Sequence, residues 1–260
     1  MHAIACRLHV DETLAAGAAV GLDAPRAHYL RHVLRLDAGA TVALFNARDG
    51  EWAARIDGFG KGWCSLVVAD RRRVPAPEPD LWLLFAPIKR ARIDFLVQKA
   101  TELGASVVWP VFTRRTAMAR VNLARLTANA VEAAEQCERL SVPELRADAT
   151  LEAAVAAWPA ERRLLVCAEA GAARPIAATL ADIDPTVPLG VLVGPEGGWA
   201  PEELSWLLGH PFVLPVGLGP RILRADTAAL AALAVVQALR GDGAGRPVDR
   251  GAAAPRCDPD

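Results

Sequence analysis

Lysine is nearly missing from this chain. Lys61, Lys89 and Lys99 are its lysines, and every other basic side chain is an arginine. With 29 basic against 30 acidic residues the formal net charge is −1, which argues against a protein that coats polyanions indiscriminately. Cysteine is sparse too. Cys6, Cys64, Cys137, Cys167 and Cys257 are odd in number, and no two lie at metal-ligand spacing, so neither a disulfide framework nor a metal site is expected. Cys137 and Cys167 sit in apolar contexts and read as core filler. Long hydrophobic runs are absent. The 53% hydrophobic content is inflated by alanine, and charges interrupt every stretch long enough to cross a bilayer. Met1–Arg7 lacks the basic segment and apolar core of a secretion signal, so a cytoplasmic protein with no membrane partner is expected. There is no G-x-x-x-x-G-K-[ST] loop, no complete G-x-G-x-x-G and no G-x-S-x-G elbow.

What is present divides at Arg71–Pro79, where alternating prolines remove backbone donors and favour an extended linker. Before it, residues 41–46, 51–57 and 63–69 are short β-leaning runs between glycine turns. A helix is predicted over Pro25–Leu36, with Leu30, Val33 and Leu34 on one face and His28, Arg31 and Arg35 on the other. After the linker, strand and helix alternate. Strands are predicted at 81–88, 106–112, 164–168, 189–193 and 212–216. Helices are predicted at 90–103, from the cap Asn122 to Leu140, and at 226–240. This alternation implies an α/β fold with a mostly parallel sheet. The expected boundaries are 1–73, 74–240 and a disordered tail 241–260.

Charge is uneven along the chain. Between Ala86 and Arg120 there are seven basic side chains against Asp94 and Glu102, whereas residues 141–260 carry ten basic and fifteen acidic. A local basic stretch can attract phosphates. The other reading is a solvated arginine-rich face. Two glycine-punctuated loops follow buried runs: Gly194-Pro195-Glu196-Gly197-Gly198-Trp199, and Leu218-Gly219-Pro220-Arg221-Ile222-Leu223-Arg224-Ala225-Asp226-Thr227. Flexible backbone at strand ends lets N–H and C=O groups approach a small polar ligand.

These loops, with Lys99–Gly104, Glu132–Arg139 and His28–Leu36 in the same order, resemble the RsmE family of 16S ribosomal RNA methyltransferases in the SPOUT superfamily. The resemblance implies a PUA-like RNA-binding barrel followed by a methyltransferase domain with a C-terminal trefoil knot. It implies a homodimer acting on the small ribosomal subunit, with S-adenosylmethionine as methyl donor and N3 of a uridine as acceptor. The cofactor residues carried over are Ala168, Glu169, Gly194, Pro195, Gly197, Gly198, Leu218, Gly219, Ile222, Leu223 and Thr227. Leu218, Ile222 and Leu223 would cover a flat base. As N3 loses its proton, charge spreads to the flanking carbonyl oxygens, where a guanidinium would favour it. Arg224 is the first candidate for that role, Arg221 the second, and Glu196 a possible base. Phosphates are expected on His28, Arg31 and Arg35, on Lys89, Arg90 and Arg92, and on Arg139. The bland reading of Glu132–Arg139 is a solvated helix face, and Lys99 with Glu102 can simply be a helical pair.

Two residues depart from the family pattern. Asp226 stands where the family has Glu, and Ala200 where a serine often caps the helix after the glycine turn. Two alternatives stay open: a non-catalytic ribosome-assembly factor of the same fold, and a tRNA methyltransferase.

Overall fold

The computed structural model describes residues 4–168 and 173–246, the side chain of Arg90 excepted. It comprises two units. One contains the chain up to Pro77 together with Ala134–Val142. The other contains Glu78–Ala133 and Pro143–Gly245.

In the first unit the strands are β1 (Arg7–His9), β2 (Ala19–Leu22), β3 (Thr41–Asn46), β4 (Gly50–Gly60) and β5 (Trp63–Arg73). They form one sheet in the order β1-β3-β4-β5-β2, antiparallel except for the β1–β3 pair. Alternation along β5 turns Cys64, Leu66 and Val68 inward, onto Val42, Leu44, Ala54 and Ile56. Cross-strand pairing carries β4 and β5 past the predicted ends, out to the Gly60–Trp63 pair at the hairpin tip. At three and four residues, β1 and β2 are too short to show a period, and the sequence did not announce them.

The predicted helix is shorter and changes form. Helix α1 (Ala24–His28) starts at Asp23, whose Oδ1 accepts the Arg26 N–H at 3.1 Å. A π-helical turn, Tyr29–Val33, follows, with the Leu34 N–H donating to the Tyr29 carbonyl at 3.0 Å. The wider turn advances less angle per residue, so positions three apart no longer share a face. Leu30 is fully buried, whereas Val33, expected beside it, is 58% exposed. Arg35 then takes a left-handed backbone, φ 55°.

Arg7 anchors the segment Ala134–Val142 within this unit. Its guanidinium donates to the carbonyls of Ala134, Glu135 and Arg139 at 3.0, 2.9 and 3.1 Å. These are carbonyls that the end of a helix leaves without an intrahelical partner. Glu51, itself buried, holds the Arg7 Nε at 2.8 Å.

The second unit contains strands β6 (Leu81–Phe85), β7 (Val107–Phe112), β8 (Glu144–Leu145), β9 (Ala149–Thr150), β10 (Arg163–Cys167), β11 (Arg174–Pro175), β12 (Leu189–Val193) and β13 (Val213–Gly217). Seven of them run in the order β11-β13-β10-β12-β6-β7-β8, β9 joins at β7, and every pairing is parallel. Helices α2 (Arg90–Glu102), α4 (Leu151–Ala156), α5 (Ile176–Ala181), α6 (Pro201–Leu208) and α7 (Ala225–Arg240) belong to this unit. Helix α3 (Leu123–Cys137) belongs to it as far as Ala133. Such a sheet is buried on both faces, which explains the unbroken apolar runs of β6 and β12.

Asn122 caps α3, its Oδ1 accepting the Arg125 N–H at 3.1 Å. The helix ends at Cys137, three residues before the predicted Leu140, where Glu138 goes left-handed at φ 64°. Cys137 is exposed, so its reading as core filler is corrected: it falls on the polar side of the last turn, next to exposed Gln136. Helix α7 packs on β12, β6, α2 and α5. Beyond it, Gly241 and Gly243 donate to the Gln237 carbonyl at 3.2 and 3.0 Å, and Gln237 Oε1 accepts from the Asp242 N–H at 3.2 Å. The start of the expected tail is therefore tied back to the helix. Residues 247–260 lie outside the described residues.

Candidate active site

Parallel register brings three strand ends to one level. Cys167 at the end of β10 lies opposite Val193 of β12 on one side and Val216 of β13 on the other. The chain leaves these strands through Ala168, Gly194 and Leu218, and the three exits enclose a cleft of about 660 Å³. That size suits a small-molecule site.

The Gly194–Trp199 wall is braced from several directions. The Trp199 Nε1 donates to the Cys167 carbonyl at 3.1 Å, tying the β12 exit to β10. A Cβ on Gly194 would come within 2.8 Å of that indole, so glycine is required here by the tryptophan seated against it. Gly198 turns the chain with φ 66°. The Arg115 Nη1 donates to the Gly197 carbonyl at 3.1 Å, and the Arg92 Nη1 to the Glu196 Oε1 at 3.0 Å. Helix α6 then begins at Ala200 with no side-chain cap, as the missing serine predicts. Its Glu203, only 3% exposed, instead accepts the backbone N–H of Arg114 at 2.9 Å. Burial pushes the Cys167 thiol up to about 12, so it stays protonated.

The facing loop is built differently. Gly219 has φ 105° with open space around it. Ile222 is 83% exposed and so takes no part in the core, and Leu223 is half-buried. Arg221 and Arg224 are exposed, and no ion pair to either is found among the described residues. Neither forms a loop-fixing pair with Asp226 or Glu196. Glu196 is taken by Arg92, and Asp226 Oδ1 accepts the Thr227 N–H at 2.9 Å. Arg224 itself occupies the N-cap position of α7.

Of the expected cofactor residues, Ala168, Gly194, Pro195, Gly198, Leu218, Gly219, Ile222 and Leu223 line the cleft. Gly197 and Thr227 stand behind the lining: a Cβ on Gly197 would meet Arg115 Cβ at 3.5 Å, and Thr227 lies in the first turn of α7. Glu169 lies outside the described residues. Arg224, Arg221 and Glu196 all line the cleft, and so do Lys89 and Arg92, expected on a separate phosphate surface. The Arg90 side chain lies outside the described residues. His28, Arg31 and Arg35 are exposed in the first unit. Arg139 is half-buried, with Nη2 donating to Ser141 at 2.8 Å. Lys99 and Glu102 form the simple helical pair, at 2.6 Å. Trp199, Arg115 and Glu203 were not singled out from the sequence. Their roles rest on partners 32, 82 and 89 residues away, and local pattern carries no such signal.

A parallel sheet with a glycine-lined cleft at its carboxyl edge and a cationic rim is a nucleotide-type site. Residues 75–237 match the RNA methyltransferase domain family, and residues 22–66 match the RNA methyltransferase PUA domain. The chain belongs to the ribosomal RNA small subunit methyltransferase E family. It is 32% identical to that enzyme from Rickettsia conorii over 90% of this chain and 95% of the relative. It is 33% identical to the enzyme from Synechocystis over 91% of this chain and 78% of the relative. The solved structure of the Neisseria gonorrhoeae enzyme bound to S-adenosyl methionine superposes with a TM-score of 0.82 at 29% identity. That likeness covers 92% of this chain and 99% of the other.

Among the described residues no group of three or more His, Cys, Asp or Glu could hold a metal. Among the same residues no helix is long and apolar enough to cross a membrane.

Proposed function

We propose that this chain transfers a methyl group from S-adenosylmethionine to N3 of a uridine in 16S ribosomal RNA. The observation that carries this reading is the cleft itself: a braced glycine turn on one side, and on the other an exposed loop bearing two guanidiniums with no ion-pair partner among the described residues. The wall formed by Gly194, Val193 and Val216 offers backbone and apolar surface to an adenosine, and Leu218 and Leu223 offer it a cover.

The cofactor supplies a methyl group made electrophilic by a sulfonium, so the protein's work is alignment and proton handling. Arg224, with Arg221 beside it, stabilises negative charge on the uracil carbonyls as N3 is deprotonated. A phosphate drawn to Arg92 and Lys89 releases Glu196 from its ion pair, leaving that carboxylate to accept the N3 proton. The exposed His28, Arg31 and Arg35 of the first unit hold further phosphates.

A homodimer is part of this reading. Its support is that Phe95 on α2 and Leu239 on α7 are exposed apolar side chains, while Leu233 is fully buried in its own unit. Sedimentation at micromolar concentration tests it, and an active monomer would sink it. The trefoil knot is likewise proposed. Its support is that α7 follows β13 yet packs back onto β12 and β6 and between α2 and α5. A cytoplasmic setting fits the substrate.

The deciding experiment is transfer of labelled methyl to 16S RNA from a strain lacking this protein, with mapping of the product base. Label at N3 of one uridine is expected. No transfer to free RNA or to small subunits would leave the assembly-factor reading, and label on tRNA alone would favour the other alternative.

A further inference from the structure

The β4–β5 hairpin of the first unit ends in Gly60-Lys61-Gly62-Trp63. Gly60 and Trp63 are cross-strand partners, and a Cβ on Gly60 would fall 2.0 Å from the Trp63 Nε1. The indole therefore lies flat across the glycine, one face on backbone and the side chain 50% exposed overall. Five other indoles, those of Trp52, Trp82, Trp109, Trp158 and Trp199, donate their N–H to protein oxygens. Among the described residues no protein acceptor is found for the two exposed tryptophans, Trp63 and Trp206, and of these Trp63 is the one at a hairpin tip beside a lysine.

Lys61 and Arg31 supply cations near the tip, where Asp57 is held by the Ser65 hydroxyl at 3.5 Å. Gly62 abuts the start of α1, its Cβ position 3.6 Å from Ala24. The Arg31 guanidinium lies 5.5 Å from the ring of Phe59, one residue along β4 from Gly60. Lys61 is at the tip and exposed. The π-helical turn exposes Tyr29 and Val33 and sets the His28 and His32 rings 4.8 Å apart at a tilt of 38°. The nearby Asp23 is engaged as the α1 cap. A fixed, exposed aromatic next to a lysine at a hairpin tip is the arrangement on which an unpaired base can stack while its phosphate meets a cation.

We infer that Trp63 is a stacking platform for an unpaired base of the RNA substrate, with Lys61 and Arg31 holding the adjoining phosphates. The inference rests on the RNA-methyltransferase reading. It assigns a contact that is aromatic rather than ionic, so its signature differs from that of the arginines. Stacking contributes without releasing counterions, while a phosphate contact adds to the salt dependence.

The test measures binding of a short labelled oligouridylate, and separately of duplex RNA, at several salt concentrations. Trp63→Ala and Trp63→Leu should each weaken oligouridylate binding about tenfold to a hundredfold with an unchanged salt slope, and Trp63→Phe should recover most of it. Duplex binding should barely move. Arg31→Ala should instead flatten the slope. Leucine still covers Gly60 but has no π face, so it keeps the test decisive if the alanine variant loses its thermal unfolding transition. Oligouridylate affinity of Trp63→Leu within twofold of the parent would overturn the platform, as would equal losses on duplex and single strand. Methyl transfer by the unmutated protein is scored separately, so failure of the platform and failure of the enzyme reading give different results.

Discussion

The two loops that face each other across the cleft solve opposite problems. Gly194–Trp199 is tied by an indole to β10, by Arg115 at Gly197, by Arg92 at Glu196 and through Glu203 to the backbone of Arg114. Leu218–Arg224 has neither a comparable brace nor ion-paired arginines among the described residues, and it presents Ile222 to solvent. A fixed wall can hold a cofactor in one pose without losing side-chain entropy on each turnover. A loose wall can adapt to a bulky RNA and bring guanidiniums to charge as it develops. Within one site, pre-organisation and adaptability are divided between the two loops.

The strongest way to break this contrast is to ask whether the fixed wall excludes water. With the Cys167 thiol at about 12, its thiolate at pH 8 should be about a thousandfold scarcer than that of an ordinary thiol. Iodoacetamide followed by peptide mass spectrometry should modify exposed Cys137 and spare Cys167 until the pH approaches that value. Ready alkylation of Cys167 would show a wall that opens. On the loose side, Arg224→Ala should lower the single-turnover rate at saturating RNA about a hundredfold, about 3 kcal/mol, with cofactor affinity nearly intact. A rate within threefold of the parent would remove the catalytic role.

Finer tests stay on the fixed wall. Gly194→Ala forces a methyl against the Trp199 indole, 2.8 Å away, and should cut S-adenosylmethionine affinity about tenfold by calorimetry. Gly197→Ala meets only ordinary contacts at 3.5 Å and should leave that affinity unchanged. Equal behaviour of the two would mean the indole does not set the wall. The smallest effect belongs to Ala200→Ser, which adds the absent N-cap hydroxyl of α6 and should raise stability by about 1 kcal/mol in urea unfolding.

The sequence announced whatever is periodic or punctuated. Residues 189–193 form the strand as read, and α2 and α7 end within a residue of their predicted limits, because apolar runs and glycine stops are local signals. The cofactor loops were legible through their glycines and their family order. Their mechanics were not. Gly194 reads as open backbone in the sequence and proves to be the seat of Trp199, and nothing local marks Arg115 as the residue that braces the Gly197 carbonyl. Likewise a π turn has no compositional mark, so Val33 was assigned to a buried face from which the extra backbone residue per turn removes it. Two-residue strands such as β8 and β11 exist only through their neighbours.

Trp199 also gives the protein an optical sensor. Among its tryptophans it alone lines the cleft, and its N–H is bonded to the carbonyl of Cys167 at the floor of that cleft. Ligand entry must change the polarity around this one chromophore while leaving the other indoles as they were. Occupancy can therefore be followed as a difference in emission between the parent and Trp199→Phe, without labelling either the nucleotide or the RNA.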